Sequence, residues 1–275
     1  VWDERAPAIW FGGDVHMGAA PRGGLTFIRD MVGGAVGVVN LEGPIVAEVG
    51  GAWADGGVRL ANPPGAAAVL ARDGVVAASI ANNHRLDDGA AGEARTVASL
   101  RAAGVAAVGA SGGDALLYVG DSVVRIQAFE LTDSPLRLTL PSQPGVDVVA
   151  LHVTGPPSYL PTPALVSAVD AAVAAGAEIV VAHGTHVVGP VERRGGALVA
   201  WGLGNLLFDC PCTDADEAIV LRVTLTEGLP AAVLPIRAGL GGAAAGPAPD
   251  PDGLLDLLDA LGGARLRRVG AVGWL

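Results

Sequence analysis

The sequence predicts an α/β protein built as a four-layer α/β/β/α sandwich. Three observations carry that expectation. Short apolar runs, rich in Val, Ala, Ile and Leu, recur along the chain without strict polar alternation, as strands covered on both faces do. Helical patterns separate these runs through the first two-thirds of the chain, which is the signature of an open α/β sheet. In the last third the runs follow one another across turns such as Glu227-Gly228, so a second, largely antiparallel sheet is expected there.

The strand runs fall at residues 9–12, 35–41, 75–81, 105–108, 116–119, 123–129, 146–153, 178–182, 198–203, 219–226 and 231–237. Helices are expected at 64–72, where Pro64 precedes the first turn and Asp73-Gly74 follows the last, and at 93–103, ended by Gly104. Two more are expected at 163–175, ended by Gly176, and at about 253–261. Residues 238–253, rich in Gly, Ala and Pro, are expected to form a flexible connector. No internal repeat is visible, and residues 1–275 are expected to form one domain.

Composition narrows the function. The formal charge is −11, and all 17 basic residues are Arg. No basic stripe for nucleic acid is available, and without lysine Schiff-base chemistry is excluded. No run of eighteen apolar residues is unbroken; residues 165–181 contain Asp170 and Glu178. The chain begins at Val1, so a removed N-terminal anchor or signal stays open, with the cytoplasm the favoured compartment. Cys210 and Cys212, in Cys-Pro-Cys, read either as a metal or redox pair or as two reduced thiols in a loop. There is no dinucleotide fingerprint, Gly-x-Ser-x-Gly elbow or Gly-Lys-Ser/Thr phosphate loop.

All five histidines lie in short motifs at or after strand-like runs. They are His16 in Gly-Asp-Val-His, His84 in Asn-Asn-His, His152 in Leu-His, and His183 and His186 in His-Gly-Thr-His. Glu42 ends another run, in Asn-Leu-Glu-Gly-Pro. Each motif alone reads equally well as structural: a turn-forming Asp-x-His, an Asn-rich helix start, a core histidine. Together they place imidazoles and carboxylates at the carboxyl ends of strands, the edge where open α/β sheets bind ligands. Such donors suit one or two divalent ions, with Mn, Fe or Zn expected. Asp14 and His16, two residues apart on an extended chain, face one side. Glu42 is suited to bridge two ions, Asn83 offers a neutral amide oxygen, and His84 can donate a proton to a leaving group.

The order Gly-Asp-x-His, Asn-Leu-Glu-Gly-Pro, Ala-Asn-Asn-His-x-Leu-Asp, Leu-His, His-x-x-His-Val and Leu-Gly-Asn-x-x-Phe-Asp, spanning Phe11 to about Asp209, resembles the CapA family. That family is named for poly-γ-glutamate capsule synthesis and sits in the calcineurin-like metallophosphatase superfamily. The resemblance implies a sandwich of the metallophosphatase type with a dinuclear metal site. Asp14, His16, Glu42 and His186 would surround one ion, and Glu42, Asn83, His152 and His183 the other. His84 would be the general acid. Asp14, His84 and His186 make up the expected catalytic set, and Arg85 and Asn205 the expected substrate-binding pair.

The chain departs from common patterns in four places, one of them His16, where many relatives carry a hydrophobic residue. Glu42 stands where ordinary metallophosphatases carry Asp. The last pair is His-x-x-His rather than His-x-His. Val153-Thr154-Gly155-Pro156-Pro157 replaces a Trp-Gly and Glu that many relatives have after the fourth motif. The resemblance implies metal-dependent chemistry on a peptide or γ-glutamyl substrate: amide hydrolysis or transfer, or proton transfer at an α-carbon. The alternatives are a dinuclear phosphoesterase using metal-bound hydroxide, and a non-enzymatic capsule-assembly component. The expected partner is a peptide or small anionic substrate, with oligomeric state open.

Overall fold

A computed structural model describes residues 2, 3, 5–18, 24–48, 58–131, 136, 138–141 and 143–275. The chain opens with β1 (Ala8–His16), α1 (Thr26–Val32), β2 (Val36–Leu41), α2 (Ala66–Arg72), β3 (Val75–Ser79), α3 (Gly89–Ala102) and β4 (Ala106–Val108). Six strands follow: β5 (Ala115–Val119), β6 (Ser122–Glu130), β7 (Val146–His152), β8 (Ile179–His183), β9 (Val191–Arg194) and β10 (Ala197–Ala200), with α4 (Pro163–Ala174) between β7 and β8. The remainder comprises β11 (Asn205–Phe208), β12 (Glu217–Thr224), β13 (Ala231–Arg237), β14 (Gly239–Leu240), β15 (Gly246–Pro247), α5 (Pro251–Ala260), β16 (Arg267–Val269) and β17 (Val272–Trp274).

These strands form two sheets. The first runs β16-β17-β13-β12-β1-β2-β3-β4, with β11 added beside β1, β14 beside β11 and β15 beside β13. The second runs β5-β6-β7-β8-β10-β9. The α/β sandwich is as expected, but the sheets are divided differently from the expectation. The last third of the chain does not form a sheet of its own. β12 pairs antiparallel with the first half of β1 (Ile9 opposite Val223), and β13 extends that side. The second sheet comes from the middle of the chain. Local hydropathy records that a run is a strand but not which distant edge it joins, and β1 has an edge free opposite β2.

Three cores define the layers. Between the sheets lie Phe11, Val38 and Ala77 of the first with Ile126, Val148 and Val181 of the second. On the outer face of the first sheet, Ile28 of α1, Leu70 of α2 and Leu100 of α3 cover Trp10, Val39 and Ala78. On the outer face of the second, Leu165, Val169 and Ala172 of α4 cover Val149, Leu151 and Val180. Neighbours such as Val38 and Val39, or Val148 and Val149, thus serve opposite faces, as a strand's two-residue period requires. α4 starts at a Thr162 cap, whose hydroxyl accepts the Leu165 N–H at 3.2 Å, with Pro163 at its first position.

The expected run at 198–203 is split. β10 stops at Ala200, and residues 201–204 carry the chain across to the first sheet. Glycine is required on this crossing. A Cβ on Gly13 would stand 1.8 Å from the Gly204 carbonyl, which accepts the Asp14 N–H at 3.1 Å. Residues 238–253, expected as a flexible connector, carry β14 and β15, and Ala238 and Ala245 are buried among the core of the first sheet. The Pro211 turn brings Cys210 and Cys212 to a Cα separation of 5.1 Å, and the two form a disulfide, not a pair of reduced thiols. Among the described residues no helix is long and apolar enough to cross a membrane.

Candidate metal centre

Strand register assembles the site at one edge of the sandwich. In the first sheet Asp14 lies opposite Asn40 of β2 and Asn205 of β11. In the second, His152 lies opposite His183 on one side and Glu130 on the other. Parallel pairing aligns the carboxyl ends of these strands, so their last residues meet.

Asp14 is buried and surrounded. The Asn40 amide donates to its Oδ1 at 2.9 Å, and the Gly184 N–H donates to Oδ2 at 3.1 Å. His183 Nδ1 stands 3.5 Å from Oδ1, and His186 Nδ1 3.3 Å from Oδ2. Burial pushes this carboxyl up, but the His183 and His186 rings outweigh it and hold Asp14 well below the usual carboxylate range. Only glycine fits at Gly184: its φ is +81°, and a Cβ would meet the Val153 carbonyl at 2.1 Å. His186 itself has φ +56°, a left-handed conformation uncommon outside glycine and of the kind found at functional sites.

Glu42 follows β2. Its N–H donates to the Val15 carbonyl at 2.8 Å, and the buried Asn62 amide donates to the carbonyls of Glu42 and Gly43 at 2.7 and 2.9 Å. The backbone is fixed, whereas both carboxylate oxygens are buried without a hydrogen-bond partner. Burial, reinforced by the negative Asp14, pushes the Glu42 carboxyl well above its ordinary range. A buried carboxylate with no protein donor is costly unless a cation meets it. Ligand atoms of Asp14, Glu42 and His186 all lie within 4.8 Å of one another. That is the span of a shared coordination shell, where each donor stands about 2–2.5 Å from the ion. The donor set therefore fits a divalent metal.

The histidines differ in charge. Burial lowers His186, but the Asp14 and Glu42 carboxylates outweigh it and raise it to about 9. His152 is pushed down to about 3, first by burial, and stays neutral, the form in which imidazole binds metal. Its Nε2 lies 2.8 Å from Asn83 Oδ1 and 3.5 Å from Glu42 Oε1, so Asn83, His152 and Glu42 come together. His183 sits beside Asp14 with His186. His16 is buried, with Nε2 against the backbone of Ala61, 3.1 Å from its carbonyl, and its Nδ1 buried without a partner. Among the described residues His16 is outside the group of three that share one 4.8 Å span.

His84 is partly buried, and its Nδ1 lies 2.7 Å from Asp87 Oδ2, which also accepts the Leu60 N–H at 2.7 Å. A donation from Nδ1 to Asp87 leaves Nε2 as the nitrogen available for proton transfer. Arg85 stands between two carboxylates, 3.5 Å from Glu93 and 3.5 Å from Glu130. Asn205, expected at the substrate, lies fully buried behind His186. Its Oδ1 is 3.0 Å from His186 Nδ1, and its amide donates to the Ala215 carbonyl at 3.0 Å.

Asn40, Asp87 and the Gly184 N–H complete the site and are not among the site residues expected from the sequence. Asp87 carried a signal, three residues after His84; Asn40 carried one too, inside the same motif as Glu42. The Gly184 N–H carried none, because a backbone donor has no letter of its own.

A hypothetical protein of Thermus thermophilus shares the fold, at 15% identity and TM-score 0.52, covering 83% of this chain and 97% of that one. A novel phosphatase of Mycoplasma pneumoniae aligns at 13% identity and TM-score 0.46, over 80% of this chain and 87% of its own. The NAD nucleotidase of Haemophilus influenzae aligns at 10% identity and TM-score 0.47, over 84% of this chain and 50% of its own. No curated protein sequence matches the chain. Residues 9–116 and 138–210, more than half of the chain, match the family described as bacterial capsule synthesis protein PGA_cap. The Asp14–Glu42–His186 group gives the chain a set of side chains that could hold a metal ion. The chain belongs to the PGA_cap family of bacterial capsule synthesis proteins, the CapA group.

Proposed function

We propose that this protein is a metal-dependent enzyme acting on an amide of a peptide or γ-glutamyl substrate. The carrying observation is Glu42, buried with neither oxygen hydrogen-bonded and within one coordination span of Asp14 and His186. Asp14, Glu42 and His186, with Asn83, His152 and His183 beside them, would hold one or two divalent ions. When bound, such ions polarise a substrate carbonyl or phosphoryl oxygen and activate water. Gly184 and Asn40 hold Asp14 in place, and Asn205 fixes the His186 ring. His84, steadied by Asp87, supplies a proton to the departing group.

Arg85 beside His84 is the observation that favours the phosphoester alternative, because guanidinium forks bind phosphate. Its two carboxylate neighbours offset that charge, which favours the amide reading. The test compares Mn-supplied turnover of aryl phosphates and of γ-glutamyl and ordinary peptides, in the wild type and in Arg85→Ala. The expected result is peptide turnover exceeding phosphate release, with less than a tenfold loss in Arg85→Ala. Rapid metal-dependent phosphate release that collapses in Arg85→Ala, with no change in any peptide, would overturn the reading.

A further inference from the structure

We infer that an apolar groove beside the metal centre receives a hydrophobic side chain of an extended peptide substrate, which sets the enzyme's specificity. The groove has a volume of about 590 Å³ and is lined by Leu131, Val153, Pro156, Leu160, Leu165 and Thr185, among others. That volume falls within the roughly 300–1,000 Å³ of small-ligand sites. This inference deepens the peptide reading above and rests on it.

The groove shares its inner wall with the candidate metal centre. Val153 directly follows His152, and its N–H donates to the His183 carbonyl at 3.0 Å. Thr185 lies between Gly184, which holds Asp14, and His186. Glu130 lies opposite His152 in the sheet. A side chain seated in the groove therefore brings its own backbone amide to the ends of the strands that carry the ligands.

Three features identify the occupant as apolar. Among the described lining residues only Glu130 is charged, and Arg85 already stands against it. Leu160 is 57% exposed and its neighbour Tyr159 43% exposed, so large apolar surface is presented to solvent at this rim. Isolated exposed apolar residues are ordinary, but here they border a concave apolar wall. Pro156, Pro157 and Pro161 restrict the rim segment, so little ordering entropy is lost when it is filled.

The surrounding charge argues against a polyanionic polymer. Tyr159, next to Leu160 in the chain, lines a separate, smaller cavity of about 270 Å³ with Asp214, Asp216 and Glu217. The chain as a whole carries −11. A run of free γ-glutamyl carboxylates would meet like charge beside this rim, whereas a neutral peptide with a Leu- or Phe-sized side chain would not.

The test uses Mn-loaded protein and four peptides, acetyl-Gly-X-Gly-amide with X as Gly, Glu, Leu or Phe, measured by calorimetric titration. Leu and Phe are expected to bind at least tenfold more tightly than Gly, and Glu no better than Gly. Ala164→Trp, which fills the groove from the exposed first turn of α4, should remove at least fivefold of the Leu and Phe preference. It should leave Gly binding and Mn content unchanged. Leu160→Asp, at an exposed position, is the second variant and should act in the same direction. Equal binding of all four peptides, tightest binding of Glu, or a preference untouched by both variants would overturn the assignment. Side-chain-selective binding with no turnover of any peptide would remove the enzymatic reading and leave the groove assignment standing. Turnover with no preference at X would do the reverse.

Discussion

Glu42→Gln should stabilise the metal-free protein and destabilise the metal-loaded one. Glu42 is 1% exposed, and neither carboxylate oxygen has a hydrogen-bond partner. Its folded-state pKa lies above the ordinary 4.5, so the folded state binds this proton more tightly than the unfolded chain does. The contribution of such a group is fully present below the unfolded value and is lost as pH rises towards the folded one. Leaving a buried polar group without hydrogen bonds costs about 1–3 kcal/mol, and more when it is charged. Gln preserves the shape and removes the charge, but its amide is left partly unsatisfied at a cost of about 1 kcal/mol. The net gain is about 1–2 kcal/mol, or a rise of roughly 2–6 °C in Tm for a chain of this size.

In the wild type, metal at a hundredfold over its Kd adds about 2.7 kcal/mol. A variant lacking the central carboxylate forgoes most of that. Thermal melts of both proteins with chelator and with Mn should therefore cross. Glu42→Gln should melt higher in chelator and lower in Mn. If the variant instead melted several degrees below the wild type in chelator, Glu42 would be a satisfied structural carboxylate, and the metal centre would lose its central member.

Two further outcomes follow from single contacts. His84→Asn should keep the wild-type metal content, read by elemental analysis, while turnover falls by about a hundredfold or more; loss of metal would make His84 a ligand. Asp73→Ala should lower Tm through loss of about 1–3 kcal/mol, because the fully buried Asp73 side chain accepts the Leu25 N–H at 2.7 Å and pairs with Arg72. Burial raises that carboxyl, but Arg72 and the Leu25 N–H outweigh it and lower it, so its contribution is present above 3.8 and fades as pH falls below that value. Melts at pH 7 and pH 3 should show the gap narrowing in acid.

Much of the site was legible because the residues that carry chemistry are also those that end strands. The apolar runs before Glu42, His152 and His183 located their carboxyl ends, and those ends do meet. What a linear pattern cannot hold is which edges pair. β12 and β13 read as a sheet of their own because each has a turn beside it, while their partner, β1, lies some two hundred residues earlier in the chain. Asn205 shows the same limit on a smaller scale. It is expected at the substrate, yet the crossing between sheets buries it behind His186. α1 was passed over because it is seven residues long and buries only Ile28 and Val32, too little periodicity to register.

The cluster draws its donors from both layers, with Asp14 and Glu42 from the first sheet and His152, His183 and His186 from the second. Its charge must therefore be balanced where the two sheets meet. In the metal-free protein the balance is made by protons. His186 is raised to about 9 and so holds one at pH 7, and Glu42 is pushed in the direction of holding another. A divalent cation serving the same carboxylates must displace them, because imidazole and carboxylate bind metal without their protons. Metal binding at pH 7 should thus release about one proton per site, from His186. The release should decline as pH rises through 9, where His186 is already neutral. Calorimetric titration of Mn in buffers of different ionisation enthalpy measures this number directly. A release near zero at pH 7 would mean that the ion binds elsewhere, away from Asp14, Glu42 and His186.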